Sequence, residues 1–357
     1  MFDGASVVSK SINIDGWEIG LDHEPFVVAE MSGNHNQSLE KALQIVEAAA
    51  SAGAHAVKLQ TYTADTLTID KKDGDFYLGN PGSLWSGLSM YELYQKAHTP
   101  WEWHAQIFQR CKKLGLTCFS SPFDESAVDF LEGINCPCYK IGSTENTDIH
   151  LLRKVAETGK PVIVSTGMAT ISDLGEMVGT LRKYGCENLI LLKCTAAYPA
   201  DPSDANLVTI PHMRDFLGCE IGLSDHSMGI GVAVAGIALG ATVIEKHFTT
   251  SREEGGVDAS FSMEPDEFRS LVKEVNVAWR ARGEIHYGTV GSEDSFLSRR
   301  SLYIVKDMKK GEILTPENLR SIRPGYGLPV IHRDAVLGMR VRRDVERGTR
   351  MSWGLIK

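Results

Sequence analysis

The chain has 357 residues, 43% of them hydrophobic and 23% charged: enough for two ordinary domains, or one large barrel with a small appendage, and too evenly composed for a disordered or fibrous protein. No basic stretch followed by an apolar one opens the sequence, so no secretory leader is expected, and the longest apolar stretch, residues 229–245, is too short and too rich in Gly and Ala to span a bilayer. The net charge of -9 is unevenly placed: residues 298–357 carry fourteen Lys or Arg against six Asp or Glu, a balance of +8, and residues 1–297 carry twenty-three against forty, a balance of -17.

Residues 1–24 precede the first apolar run and are expected to form a small hairpin across the base of the fold. From Phe26 to His247 one phrase then repeats, a short β-branched or apolar run that ends in a polar residue and leads into an amphipathic helical stretch. The runs are FVVAE (26–30), HAVKL (55–59), LTCFS (116–120), PCYKI (137–141), PVIVS (161–165), LILLK (189–193), CEIGL (219–223) and TVIEK (242–246). Runs of this length separated by helices such as Leu39–Ala52, Trp101–Leu114 and Ile149–Thr158 read as buried parallel strands, and eight such units predict a (β/α)8 TIM barrel. An open doubly wound sheet is disfavoured because no GxGxxG follows the first run.

The insertion from Thr61 to Pro100, rich in Trp and Tyr, is expected to be a structured loop on the catalytic face, or simply a cap over the barrel mouth. After Trp279 the rhythm stops and a polar, Gly-containing stretch follows, so the domains are expected at 1–283 and 298–357 with a linker at 284–297. The tail repeats VKDMKKGEILT (305–315) as RRDVERGTRMS (342–352) and predicts a compact, mainly-β module with internal two-fold resemblance. It has no aromatic stacking run and no helix-turn-helix or zinc-finger spacing, so no nucleic-acid partner is expected. Seven scattered cysteines argue against a disulfide framework and for a reducing cytoplasm, and Cys136-Pro-Cys138 reads as a pair of core or loop thiols.

Barrel active sites lie at the C-terminal ends of the strands, and here those ends are polar: Glu30, Lys58, Ser120 and Ser121, Lys140 and Ser143, Ser165 and Thr166, Lys193, Ser224 to His226, Glu245 to His247. Four lysines on that rim, Lys246 included, allow two readings: a Schiff base on Lys58, Lys140, Lys193 or Lys246, as in an aldolase, or a non-covalent phosphate and carboxylate site, which suits several positive charges better. His226 and His247 follow adjacent strands about 5 Å apart. They either hold a divalent metal with open positions or are hydrogen-bonded rim histidines.

AEMSGNHNQS (29–38), VKLQTY (57–62), FSSPFD (119–124), YKIGSTE (139–145), STGMAT (165–170), CTAAYP (194–199), GLSDHSMG (222–229) and EKHFT (245–249) together resemble the sialic acid synthase family. DMKKGEILTPENLRSIRPGYGL in the tail resembles that family's SAF, or antifreeze-like, domain. The resemblance runs in order over nearly the whole chain. It implies condensation of phosphoenolpyruvate with an N-acetylated amino sugar to a nine-carbon 2-keto acid, with release of phosphate. Within the family, YELYQKAHTPWEWH, GGVDASFSMEP, SRRSLY, RPGYGLP and Ser121 are most similar to the pseudaminic acid synthase branch. Ala196 stands where sialic acid synthases commonly carry Asn, which would suit a less hydroxylated sugar such as 2,4-diacetamido-2,4,6-trideoxy-altrose; N-acetylneuraminate and legionaminate synthases are the alternatives.

The resemblance implies roles residue by residue. His226 and His247 would bind manganese or magnesium; Lys58, Ser121, Lys140, Ser143, Ser165 and Ser224 would hold phosphoenolpyruvate. Glu30, Glu145, Tyr198 and Asp258 would face the sugar, with Glu30 the first choice of base and Glu145 the second. Phe123 would wall the pocket or pack in the core. Arg323 would arrive from the SAF domain of a partner subunit in a swapped homodimer, and Arg299 stands where the family has a lysine. A non-catalytic carbohydrate- or ice-binding tail is the other reading of that module.

Overall fold

The computed structural model describes residues 11–80, 84–288 and 295–357; the first ten residues of the expected hairpin, residues 81–83 of the insertion and 289–294 of the expected linker lie outside them. The chain divides into two compact units, residues 1–283 and 284–357.

In the first unit a hairpin of β1 (Ile12–Ile14) and β2 (Trp17–Ile19) precedes eight parallel strands. These are β3 (Phe26–Glu30), β4 (Ala56–Thr61), β5 (Thr117–Pro122), β6 (Tyr139–Ile141), β7 (Val162–Ser165), β8 (Leu189–Cys194), β9 (Glu220–Ser224) and β10 (Val243–His247). They pair in sequence order and close into a barrel, β10 returning to β3 with Val243 opposite Phe26 and His247 opposite Glu30. The runs are mainly apolar up to their C-terminal ends because one face fills the barrel and the other lies under helices; β3 is buried at all five positions. Gly222 marks how closely the barrel packs: a Cβ there would meet Leu192 Cδ2 and Val243 O, each at 2.6 Å.

The helices start where the sequence supplies caps. Ser38, Asp124, Asp148 and Thr170 each accept a backbone N–H of the first turn of the helix that follows. The hairpin closes the end of the barrel away from the polar rim: the Trp17 ring lies 6.1 Å from Phe26, which starts β3, and 4.6 Å from His55, which precedes β4. Ile12, Ile14 and Ile19 join the main core there. The insertion is structured, with helices at Ala64–Leu67 and Met90–Ala97, the second opened by a capping box between Ser89 and Glu92.

The second unit has its own core, with Leu302, Ile304, Leu319, Val336 and Val341 among its members, and an antiparallel pair, β11 (Ser301–Ile304) and β12 (Leu319–Ile322). The two halves of the sequence repeat bind one another in equivalent ways. Asp307 Oδ1 accepts the Arg347 N–H at 2.7 Å and Asp344 Oδ1 accepts the Lys310 N–H at 2.8 Å. Met308 and Val345 exchange both backbone hydrogen bonds between these contacts. Among the described residues no helix is long and apolar enough to cross a membrane, and all seven cysteines are free and buried.

Candidate active site

A cavity of 580 Å³ at the C-terminal ends of the strands is lined by all thirteen barrel residues to which the family resemblance gives a role, from Glu30 to Asp258. Strand alternation decides which side chains enter it. Glu245 and His247 point inward from β10 while Lys246 between them does not line the cavity, and on β8 Cys194 lines it while Lys193 does not. This corrects the rim of four lysines: Lys58 and Lys140 reach the cavity, Lys193 and Lys246 do not. Both outliers ended runs that extend one residue further in the structure, which turns the penultimate residue outward. Lys246 Nζ instead binds Asp225 Oδ2 at 2.8 Å and the carbonyls of Ser227 and Gly229 at 2.7 and 3.0 Å, bracing the loop that carries His226. Lys193 Nζ donates to the Cys194 carbonyl at 3.0 Å.

The inward lysines are buried and held by carboxylates. Lys58 Nζ lies 2.5 Å from Glu30 Oε2 and 3.9 Å from Glu245 Oε2; Lys140 Nζ lies 3.2 Å from Glu245 Oε1, which also accepts the Ser224 hydroxyl at 2.9 Å. Burial opposes ionisation of Glu245, yet Lys140 and Lys58 together hold its carboxyl down to about 2. Lys58 is moved up despite burial, by Glu245 and Glu30, so it is a fixed ammonium rather than the depressed amine a Schiff base requires. Of the two displaced lysines, burial lowers the proton affinity of Lys193, which stands outside the cavity. Burial raises Glu30, Glu145 and Asp258 above the usual carboxylate range. Gln60 donates to Glu30 Oε1 at 3.1 Å, and Ser32 donates to Asp258.

Among the described residues, three buried polar atoms on the cavity wall have neither a hydrogen bond nor a close ion pair: Ser165 Oγ, Glu145 Oε2 and His247 Nδ1. Unpaired buried groups are costly, and three around one cavity point to a polar ligand. The rings of His226 and His247 stand 5.3 Å apart, and His226 Nδ1 lies 2.9 Å from the Thr195 carbonyl, so that nitrogen carries the proton and Nε2 is left as an acceptor. Burial, with His226 and Lys58 adding to it, pushes His247 well below the usual histidine range and keeps it neutral. For His226 burial acts in the same direction, but Cys194 and the Thr195 carbonyl outweigh it and move the group up.

Neutral imidazole nitrogen with oxygen donors nearby fits a divalent first-row ion; Asp258 Oδ2 lies 4.0 Å from His247 Nδ1. Among the described residues no group of three or more His, Cys, Asp and Glu is gathered for an ion; the residues that would hold one are His226 and His247.

Part of the cavity lining is aromatic and apolar. Tyr198 lies 4.4 Å from the His226 ring and 6.2 Å from Trp85; Tyr62 packs on Phe123 at 4.9 Å and on Tyr94 at 5.8 Å. Leu67, Leu78, Met90 and Leu93 of the insertion also line the cavity, as do Met168 and Ala196. The sequence reading passed over the central pairing of Glu245, and over Gln60, Cys194, Tyr62 and Trp85; the alternation of VKLQTY and LLKC would have turned Gln60 and Cys194 inward, but nothing local places Trp85. Arg323 lies in the second unit, exposed, directly after β12, and Arg299 stands beside Gly325 of the same unit.

Residues 299–356 match the SAF domain. A pseudaminic acid synthase of Campylobacter jejuni is 42% identical over 92% of this chain and 95% of its own, and one of Helicobacter pylori is 40% identical over 92% and 96%. The crystal structure of an N-acetylneuraminic acid synthetase from Leptospira borgpetersenii in complex with citrate superposes with a TM-score of 0.72 at 30% identity, covering 80% of this chain and 95% of that one. Residues 45–287 match the NeuB family, and with relatives of this similarity along almost its whole length the chain belongs to that family.

Proposed function

We propose that this chain is a pseudaminic acid synthase that condenses phosphoenolpyruvate with 2,4-diacetamido-2,4,6-trideoxy-L-altrose, giving a nine-carbon 2-keto acid sugar and inorganic phosphate, in the cytoplasm. The observation that carries the reading is the meeting, in one cavity, of two buried ammonium groups and an unpaired serine hydroxyl with the His226–His247 pair. The methyl of Ala196 in the cavity wall favours a deoxygenated, N-acylated sugar over a more hydroxylated one.

Manganese or magnesium held by His226 and His247 would supply Lewis acidity at the aldehyde oxygen of the open-chain sugar. Lys58 and Lys140, with Ser121, Ser143, Ser165 and Ser224, bind the phosphate and carboxylate of phosphoenolpyruvate and hold its methylene against the aldehyde carbon. The methylene carbon forms the new C–C bond, the aldehyde oxygen takes up a proton, and positive character develops on C2. Glu30 then accepts a proton from the water that adds to C2; its raised proton affinity suits that task, and Glu145 is the second candidate. The C2–O bond to phosphate breaks with its electron pair leaving on phosphate, and loss of the hydroxyl proton leaves the ketone. Tyr198, Asp258 and Phe123 line the sugar's side.

Four carboxyl groups face two lysines in this cavity, so a polyanionic substrate calls for a further cation. In our reading it is Arg323 from the +8 SAF unit of a second copy, in a homodimer with exchanged SAF units. The chemistry is tested with phosphoenolpyruvate labelled at the bridging oxygen. The label is expected in inorganic phosphate; label retained in the keto sugar would overturn the order of steps.

A further inference from the structure

The cavity that holds the site has a neighbour. A second cavity, of 430 Å³, lies on the outer side of the insertion, and the two share Trp85, Leu93 and Val257 as lining residues. Trp85 is fixed in this partition: its indole N–H donates to the Val257 carbonyl at 3.1 Å and its ring lies 6.2 Å from Tyr198. Because Tyr198 stands 4.4 Å from His226, the indole is the far member of an aromatic row that begins at the histidine pair. The outer cavity opens to solvent, with Ser86 and Lys96 contributing polar groups to its lining. Leu84 and Leu88 line it with the shared residues, while the amides of Gln37 and Asn36 are tied to backbone carbonyls, Gln37 to Lys96 and His98, and Asn36 to Glu254 and Gly255.

We propose that the indole of Trp85 sets the length of N-acyl group the enzyme accepts at the end of the sugar remote from the aldehyde, by closing the reaction cavity against a preformed, partly leucine-lined cleft behind it. This rests on the sugar-condensing reading above. In that reading the aldehyde carbon sits at the histidine pair, so the acylamido group on C4 extends along Tyr198 toward Trp85. An acetyl group ends at the indole. A longer acyl chain meets the ring, and without the ring it enters the outer cavity between Leu84, Leu88 and Leu93. The insertion thereby selects the substrate without touching a reacting atom.

The test compares wild type with Trp85→Ala on two sugars, the di-N-acetyl compound and its analogue with butanoyl on the C4 nitrogen, following phosphate release from phosphoenolpyruvate. Each methylene placed in or excluded from an apolar site is worth about tenfold or more in kcat/KM. Wild type is therefore expected to disfavour the butanoyl analogue by at least about tenfold, and Trp85→Ala to move the ratio of the two sugars toward the longer chain by a similar factor. Val257→Ala, a milder opening of the same partition, should move the ratio in the same direction, whereas Met168→Ala, which enlarges the inner cavity alone, should not. Wild type that fails on the di-N-acetyl sugar would remove the sugar reading, and the gauge with it. Wild type that turns it over, with the ratio unchanged in both partition variants, or moved equally by Met168→Ala, would overturn the role of Trp85 alone.

Discussion

Replacing His247 by Ala is expected to lower kcat/KM by about a thousandfold or more and to abolish the response to added manganese or magnesium. A Lewis acid at a carbonyl oxygen supplies several kcal/mol of transition-state stabilisation, and each 1.36 kcal/mol is about tenfold in rate. The loss follows from the proposed metal site: His247 is held neutral by burial, its Nδ1 has no hydrogen-bond partner among the described residues, and without it His226 alone would not retain the ion. On the proposed exchange of SAF units, Arg323→Ala is expected to be similarly inactive, because it leaves substrate charge unpaired. Mixing the two inactive variants and allowing subunits to exchange should restore activity, since one site of each mixed dimer then has both His247 and the partner-supplied arginine. A His247→Ala variant with undiminished metal response would contradict the first claim, and a mixture that stays inactive after proven exchange would contradict the second.

Glu245→Gln is expected to destabilise the barrel by about 3–5 kcal/mol at neutral pH, the usual loss when one partner of a buried ion pair is removed. Glu245 is the only carboxylate paired with Lys140 among the described ion pairs and a more distant partner of Lys58, which keeps Glu30. The pH dependence carries the same signature. The Glu245 carboxyl is held down to about 2 against an ordinary 4.5, so the folded state binds fewer protons than the unfolded one between those values. Its stabilisation is complete above the upper value and disappears as the pH falls through the lower. Thermal melting from pH 7 downward should therefore show, for wild type, a decline across that window that Glu245→Gln lacks; equal melting temperatures at pH 7 with parallel acid limbs would refute the pairing. Glu30, Glu145 and Asp258 act oppositely: burial raises them, so their ionisation costs stability as the pH rises through the carboxylate range.

The barrel was legible because buried parallel strands leave a signal of their own, short apolar runs at regular spacing ending in polar residues, and the strand-end rule then led to part of the cavity, while Phe123, Glu145, Tyr198 and Asp258 came from the family resemblance. Strand ends were less legible than strands. An apolar run does not say whether it stops at Lys193 or at Cys194, and with a two-residue side-chain period that single step decides which residue faces the substrate. The same step hid the structural role of Lys246 behind its place between Glu245 and His247. The position of Trp85 was not legible at all, because the insertion has no periodicity and its indole is located by a carbonyl 172 residues further along the chain. In the SAF unit, by contrast, the two-fold resemblance expected from the repeat is present as the paired contacts of Asp307 and Asp344, because equivalent turns place equivalent carboxylates.

The central claim, the choice of sugar, is tested most directly by giving the purified chain phosphoenolpyruvate and manganese with each of three acceptors: 2,4-diacetamido-2,4,6-trideoxy-L-altrose, its manno-configured legionaminic precursor, and N-acetylmannosamine. Phosphate release and the mass of the nine-carbon keto acid are followed together. The expected result is turnover of the altrose derivative with a kcat/KM at least about a hundredfold above the other two, the scale on which buried polar and apolar contacts discriminate. Equal or greater turnover of either other sugar, or no phosphate release with any of the three, would contradict it.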